Sequence, residues 1–224
     1  MTLPILYPIL DTALLDSHGC TALAAAEAML EAGVQILQWR CKDPITRARF
    51  EEAEAIRKLC QRHGAQFVVN DRTDIAILAG AGLHIGQEDM PVALAREMVG
   101  EHTLLGVSTH NRAQFEKAVE GPVDYVAFGP VFQTMSKANP DPVTGLARLR
   151  EMRGLTALPL TAIGGINRGN VHQVLDAGAD SVAVISDLIP GICTRDTVRQ
   201  RIYEWFEILH GQAGVRQEIF EDPV

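Results

Sequence analysis

Short apolar runs rich in β-branched residues alternate along the chain with longer stretches in which apolar positions recur every three or four residues. The runs fall at residues 6–11, 34–40, 66–70, 83–85, 104–108, 125–128, 160–163 and 181–185, and each predicts a strand. Helical spacing fills stretches between and after them, at 20–32, 46–63, 112–119, 168–177 and 197–210. Strand followed by helix, repeated, predicts an α/β fold with a parallel sheet. Eight such units in 224 residues predict closure into one TIM (β/α)8 barrel, a single domain. An open doubly wound sheet is the runner-up, and the lack of a G-x-G-x-x-G turn after the first strand counts against it. Gly33, Gly80, Gly82 and Gly178 sit just past helical stretches, where a left-handed helix exit favours glycine.

Two segments break the rhythm. Residues 129–145 form a long proline-containing loop after the sixth strand, and long loops inside compact domains usually serve function. The barrel is expected over residues 1–210, with residues 211–224 a polar, acidic extension to which no role is given.

Composition narrows the partners. A net charge of −8 argues against a broad nucleic-acid surface, so cations gathered in one place would be informative. No run of about 18 apolar residues predicts a membrane span. The opening residues carry no basic segment ahead of their apolar stretch, so they do not read as a signal peptide. The four cysteines, Cys20, Cys41, Cys60 and Cys193, show no C-x-x-C or zinc spacing, and the expectation is a reduced, cytoplasmic protein. The sequence sets no oligomeric state.

Active sites of such barrels lie at the C-terminal strand ends. In the second strand Val34, Ile36, Gln38, Arg40 and Lys42 share one face by alternation, apolar at the bottom and cationic at the top, while Leu37 and Trp39 point toward the helices. Cations over a packed lumen are costly unless an anion meets them. Asn70-Asp71 ends the third strand, and Asp89 follows the fourth. The two aspartates are placed to converge on Mg2+, which is commonly held by one or two carboxylates. The competing reading makes each a helix N-cap. Ser108 stands at the end of the fifth strand, with the same alternative. Thr134, Ser136 and Lys137 lie close together in the long loop and suit phosphate oxygens. Gly164-Gly165 after the seventh strand and Ile185-Ser186 after the eighth predict a second phosphate site. His84 reads as structural, ordering the 86–89 loop, and Cys41 as a plain buried thiol.

Seven segments, Gln38–Lys42 (Q-W-R-C-K), Asn70–Asp71, His84–Asp89, Gly106–His110, Gly129–Lys137, Ala162–Ile166 and Val184–Ser186, closely resemble thiamin-phosphate synthase in the family's own order. The resemblance implies a Mg2+-dependent TIM barrel that joins hydroxymethylpyrimidine diphosphate to a thiazole phosphate and releases pyrophosphate. It implies that Gln38, Trp39, Arg40, Cys41, Lys42 and Asn70 bind the pyrimidine diphosphate, with Ser108 and Lys137 on its phosphates. It implies Asp71 and Asp89 as Mg2+ ligands, and Thr134, Met135, Ser136, Gly165, Ile185 and Ser186 around the thiazole phosphate. Arg40, Lys42, Lys137 and Ser108 would act on the leaving diphosphate. By strand parity, however, Trp39 and Cys41 face away from the lumen. The rivals are a thiazole tautomerase paralogue, with His110 as proton carrier, and a non-catalytic barrel that senses phosphorylated intermediates of the same pathway. Small phosphorylated molecules are the expected partners in every case.

Overall fold

The computed structural model describes residues 2–134 and 141–211. Eight parallel strands close into a barrel in chain order, the first pairing with the last through Leu6↔Val182 and Pro8↔Val184. They are β1 (Leu6–Asp11), β2 (Ile36–Arg40), β3 (Gln66–Asn70), β4 (Gly82–Ile85), β5 (Leu105–Thr109), β6 (Tyr125–Phe128), β7 (Leu160–Ile163) and β8 (Ser181–Val184). Helices α1 (Thr12–Ser17), α2 (Ala22–Glu31), α3 (Arg47–Arg62), α4 (Thr73–Ala79), α5 (Val92–Val99), α6 (Arg112–Val119), α7 (Gly145–Arg153), α8 (Val171–Asp176) and α9 (Arg195–Gly211) ring them. All eight expected strands are present, displaced at their ends by no more than two residues.

Alternation along each strand sorts side chains into two cores. Leu37, Trp39, Val69, Leu83, Val107, Phe128 and Ala162 face outward into the layer beneath the helices. Tyr7, Ile9, Ile36, Val68, Leu104, Tyr125 and Ala183 fill the lumen. Lumen packing stops where Asp11, Arg40, Asn70 and Ser108 begin, so the site rests on an apolar floor. Val34 departs from expectation. It precedes β2 and packs with the outer layer, because the strand begins two residues later.

Local chemistry fixes the helix ends. Asp11, Thr21, Thr46 and Asn111 each accept a backbone N–H at a helix start, supplying N-caps for α1, α2, α3 and α6. Gly33, Gly80 and Gly178 have positive φ at the helix exits.

The cysteine reading is corrected. Cys20 and Cys193 are paired as a disulfide across 173 residues, leaving Cys41 and Cys60 as buried thiols. Motif spacing could not show this pair, because α2 and α9, the first long helix and the last, bring it together only after the barrel closes. The argument from free thiols to a reducing compartment therefore falls. Among the described residues no helix is long and apolar enough to cross a membrane. Helix α9 runs to Gly211, one residue past the expected domain edge, and residues 212–224 of the expected extension lie outside the described residues.

Candidate active site

A cavity of about 540 Å³ opens at the C-terminal ends of the strands. That volume lies in the range of small-molecule sites. Gln38, Arg40, Lys42, Asn70, Asp71 and Asp89 line one side of its inventory of strand ends, from β2 to the turn after β4. Thr134, Gly164, Gly165, Ile185 and Ser186 line it from the loops after β6, β7 and β8. Ser108 lines it from β5.

The charged groups are held by their neighbours. Arg40 forms an ion pair with Asp11 on β1, and Lys42 with Asp71 at the end of β3. Asp89 accepts the backbone N–H of Gly86 at 2.7 Å, which folds the turn after β4 back on itself. Burial raises the Asp89 carboxyl above the ordinary carboxylate value, and the Asp71 carboxylate against it adds to the rise; Lys42 opposes it. Two carboxylates held together in this way favour a cation between them. Neither caps a helix. The N-cap of α4 is Arg72 and that of α5 is Pro91, so the competing reading of these aspartates does not hold. Asp71 also has φ of 63°, a left-handed conformation that costs a non-glycine residue on the order of 1 kcal/mol. Such strain persists where the surroundings enforce it. Here the Asp71 N–H donates to the His84 carbonyl at 2.7 Å, tying the ends of β3 and β4 together.

Ser108 is likewise free of the capping role, which falls to Asn111. Its hydroxyl meets Nε2 of His84 at 2.8 Å, and Nδ1 of His84 meets the Tyr125 hydroxyl at 2.8 Å. His84 has the structural role expected of it, and its ring bonds tie β4 to β5 and β6. The ring lies in the lumen because strand parity at β4 turns it inward. His110 donates from Nδ1 to the Gly129 carbonyl at 2.7 Å, since that oxygen can only accept. Its Nε2 faces Asp141 at 3.5 Å.

Beyond β6 the chain rides along the end of β7. Val131 and Phe132 donate to the carbonyls of Ile163 and Gly164. A side chain at Gly165 would place its Cβ 2.4 Å from the Gln133 carbonyl oxygen, so the glycine pair is required for this seam. Its exposed edge then faces the cavity.

Two expected substrate contacts are corrected. Trp39 is fully buried, and its indole N–H donates to Glu52 of α3 at 3.1 Å. Cys41 is buried near the Asp43 carbonyl. Neither lines the cavity, because odd positions of β2 face the helices. Met135, Ser136 and Lys137 lie outside the described residues. The motifs missed Asp11, the partner that aims Arg40, although its inward parity with Tyr7 and Ile9 was available in the sequence. They also missed Tyr7 and Tyr125, whose hydroxyls are invisible to a pattern that counts aromatics as core.

The fold and this mouth define a (β/α)8 barrel with a small-molecule-sized cavity, where cationic side chains and a pair of carboxylates meet. Residues 6–188 match the family described as thiamine monophosphate synthase, and the chain belongs to that family. It is 44% identical over 216 residues to a thiamine-phosphate synthase of Koribacter versatilis, covering 94% of this chain and 98% of that one. It is 43% identical to one of Chloroflexus aurantiacus, covering 82% and 84%. A thiamine phosphate pyrophosphorylase from Pyrococcus furiosus superposes with a TM-score of 0.77 at 31% identity, covering 92% of this chain and 96% of that one.

Proposed function

We propose that this protein is a transferase that joins 4-amino-2-methyl-5-hydroxymethylpyrimidine diphosphate to a thiazole phosphate, giving thiamin phosphate and pyrophosphate. The observation that carries the reading is one cavity with two unlike ends. One end gathers Arg40, Lys42, Asp71 and Asp89; the other offers Gly165, Ile185, Ser186 and Thr134. A diphosphate suits the first and a monophosphate the second.

The carboxylates of Asp71 and Asp89 fit Mg2+ and would hold it, with diphosphate oxygens completing the shell. When bound, the ion supplies positive charge that stabilises the leaving diphosphate. Arg40, Lys42 and Ser108 bind the same group; Lys137, assigned to it by the family resemblance, lies outside the described residues. Preorganised donors of this kind each contribute on the order of 3 kcal/mol to a transition state in which charge grows. Gln38 and Asn70 orient the pyrimidine. Cleavage of the carbon–oxygen bond leaves a cation delocalised over the amino-substituted ring, and the electron pair departs with pyrophosphate. The thiazole nitrogen then attacks the methylene carbon through its lone pair, so no general base is required. Gly165 and Ser186 hold the thiazole phosphate, and seating both substrates in one mouth removes the entropy cost of their encounter.

Incubation with both substrates and Mg2+ tests this. Pyrophosphate release matched by thiamin phosphate is the expected result. Isomerisation of a thiazole phosphate alone would move the protein to the tautomerase reading, and binding without turnover to a sensor.

A further inference from the structure

Beneath the cavity an unbroken chain of hydrogen bonds crosses the barrel. Gln38 Nε2 donates to the Tyr7 hydroxyl at 3.1 Å. The Tyr7 and Tyr125 hydroxyls are 2.9 Å apart. Tyr125 meets His84 Nδ1, and His84 Nε2 meets Ser108, at 2.8 Å each. The three middle groups are buried, and Gln38 is only 2% exposed. The sequence is built to admit this crossing. A Cβ at Gly106, beside Tyr125 in the β5–β6 register, would lie 2.0 Å from the Tyr125 ring. Gly106 has no positive φ to explain it. Its purpose is room for the ring.

Each hydroxyl in the chain has one proton to give. Burial pushes the Tyr7 phenol up to about 12 and Tyr125 well above its ordinary value, so both keep their protons. With Gln38 donating, the protons can be ordered in one way: Gln38 to Tyr7, Tyr7 to Tyr125, Tyr125 to His84 Nδ1, and His84 Nε2–H to Ser108. The Ser108 proton is then available to the cavity, and the Gln38 carbonyl oxygen is left as an acceptor. The opposite ordering spends the Ser108 proton on His84 and requires the Gln38 amide to turn over, presenting its NH2 instead. An anion only accepts, so an anion on Ser108 selects the first ordering.

From this we infer that Tyr7, Tyr125 and His84 are positioning residues that couple occupancy at Ser108 to the orientation of the Gln38 amide. A diphosphate on Ser108 sets Gln38, at the other end of the chain of hydrogen bonds, to accept from the exocyclic amine of the pyrimidine. The two ends of one substrate are read together, and a ring bearing an acceptor where the amine should be meets a lone pair. This rests on the substrate assignment above.

The test measures linkage between the two halves of that substrate. Pyrophosphate with Mg2+ and the diphosphate-free hydroxymethylpyrimidine alcohol are titrated by calorimetry, each alone and each in the presence of the other. In the unaltered protein each tightens the other by about fivefold or more. Tyr125→Phe keeps the ring and removes the hydroxyl, and the coupling falls to none. Tyr7→Phe does the same by breaking a different bond, and the double variant loses nothing further, because the chain is already cut. A merely structural role for the tyrosines would shift melting temperature without touching the coupling. Coupling that persists in either folded variant, or is absent from the unaltered protein, overturns the inference. The two-substrate turnover assay is separate. Absent pyrophosphate release there removes the synthase reading, whereas turnover with unchanged coupling removes only the relay.

Discussion

Asp89 shows how a single carboxyl reports the task of its site. Its folded value is raised, first by burial and then by Asp71. In the unfolded chain it has the ordinary carboxylate value, so the folded state holds the proton more tightly. The stability this contributes is present below the unfolded value and is lost as pH rises through the folded one. At neutral pH the metal-free protein therefore carries a carboxylate pair that Lys42 offsets only in part and that a cation relieves further. We predict that Mg2+ raises the melting temperature more at neutral pH than at about pH 4, where the protonated carboxyl competes with the ion. Asp89→Asn keeps an acceptor for the Gly86 N–H and removes the repulsion. It should raise the melting temperature of the metal-free protein and abolish the Mg2+ increment, as read by calorimetry with and without the ion. An unchanged Mg2+ response in this variant would exclude Asp89 as a ligand. The carboxylates themselves were legible as candidates in the sequence. What was not legible was their relief from capping duty, because Asp at a strand-to-helix junction fits either role until the helix start is seen.

At the scale of elements, β5 and β6 show that one glycine sets a whole crossing. Gly106→Ala puts a methyl into the Tyr125 ring, and small-to-large changes in packed cores cost about 1–3 kcal/mol. We predict a lowered melting temperature and a loss of turnover. Adding Tyr125→Leu relieves the clash but removes the hydroxyl, so stability should recover in part while turnover does not. Recovery of both would show that Tyr125 only fills volume. The same strands mark how far pattern reading reaches. Strand parity correctly turned Gln38, Arg40 and Lys42 into the lumen and Trp39 toward α3, because alternation is a local property of the backbone. It could not pair Tyr7 with Tyr125, 118 residues apart, nor Arg40 with Asp11. Those contacts depend on which strands become neighbours across a closed barrel, and on side-chain length within it. Nor could it foresee that the chain after β6 lies along the Gly164-Gly165 edge, since the seam is made by backbone groups that any residue carries.

At the scale of the molecule, closure joins the two ends of the described chain. β8 pairs with β1, α9 packs on α2, and Arg195 at the start of α9 forms ion pairs with Glu27 and Glu31 of α2. These pairs are solvent-exposed and individually worth little. The Cys20–Cys193 bond acts on the same seam with a different reach, because it spans 173 residues. In the chain-entropy account a crosslink over so long a loop stabilises by on the order of 5 kcal/mol, by restricting the unfolded ensemble. The seam also adjoins the site, since the Ser186–Leu188 turn that carries Ser186 leads through residues 189–194 into α9. We therefore predict that dithiothreitol lowers the melting temperature of the oxidised protein by about 10 °C or more. Cys193→Ser should show the lowered value with or without reductant. Thiol titration of the denatured protein should count two groups before reduction, Cys41 and Cys60, and four after it. If the purified, unreduced protein already yields four, the seam is held by packing and the exposed ion pairs alone, and reductant should leave its melting temperature where it was.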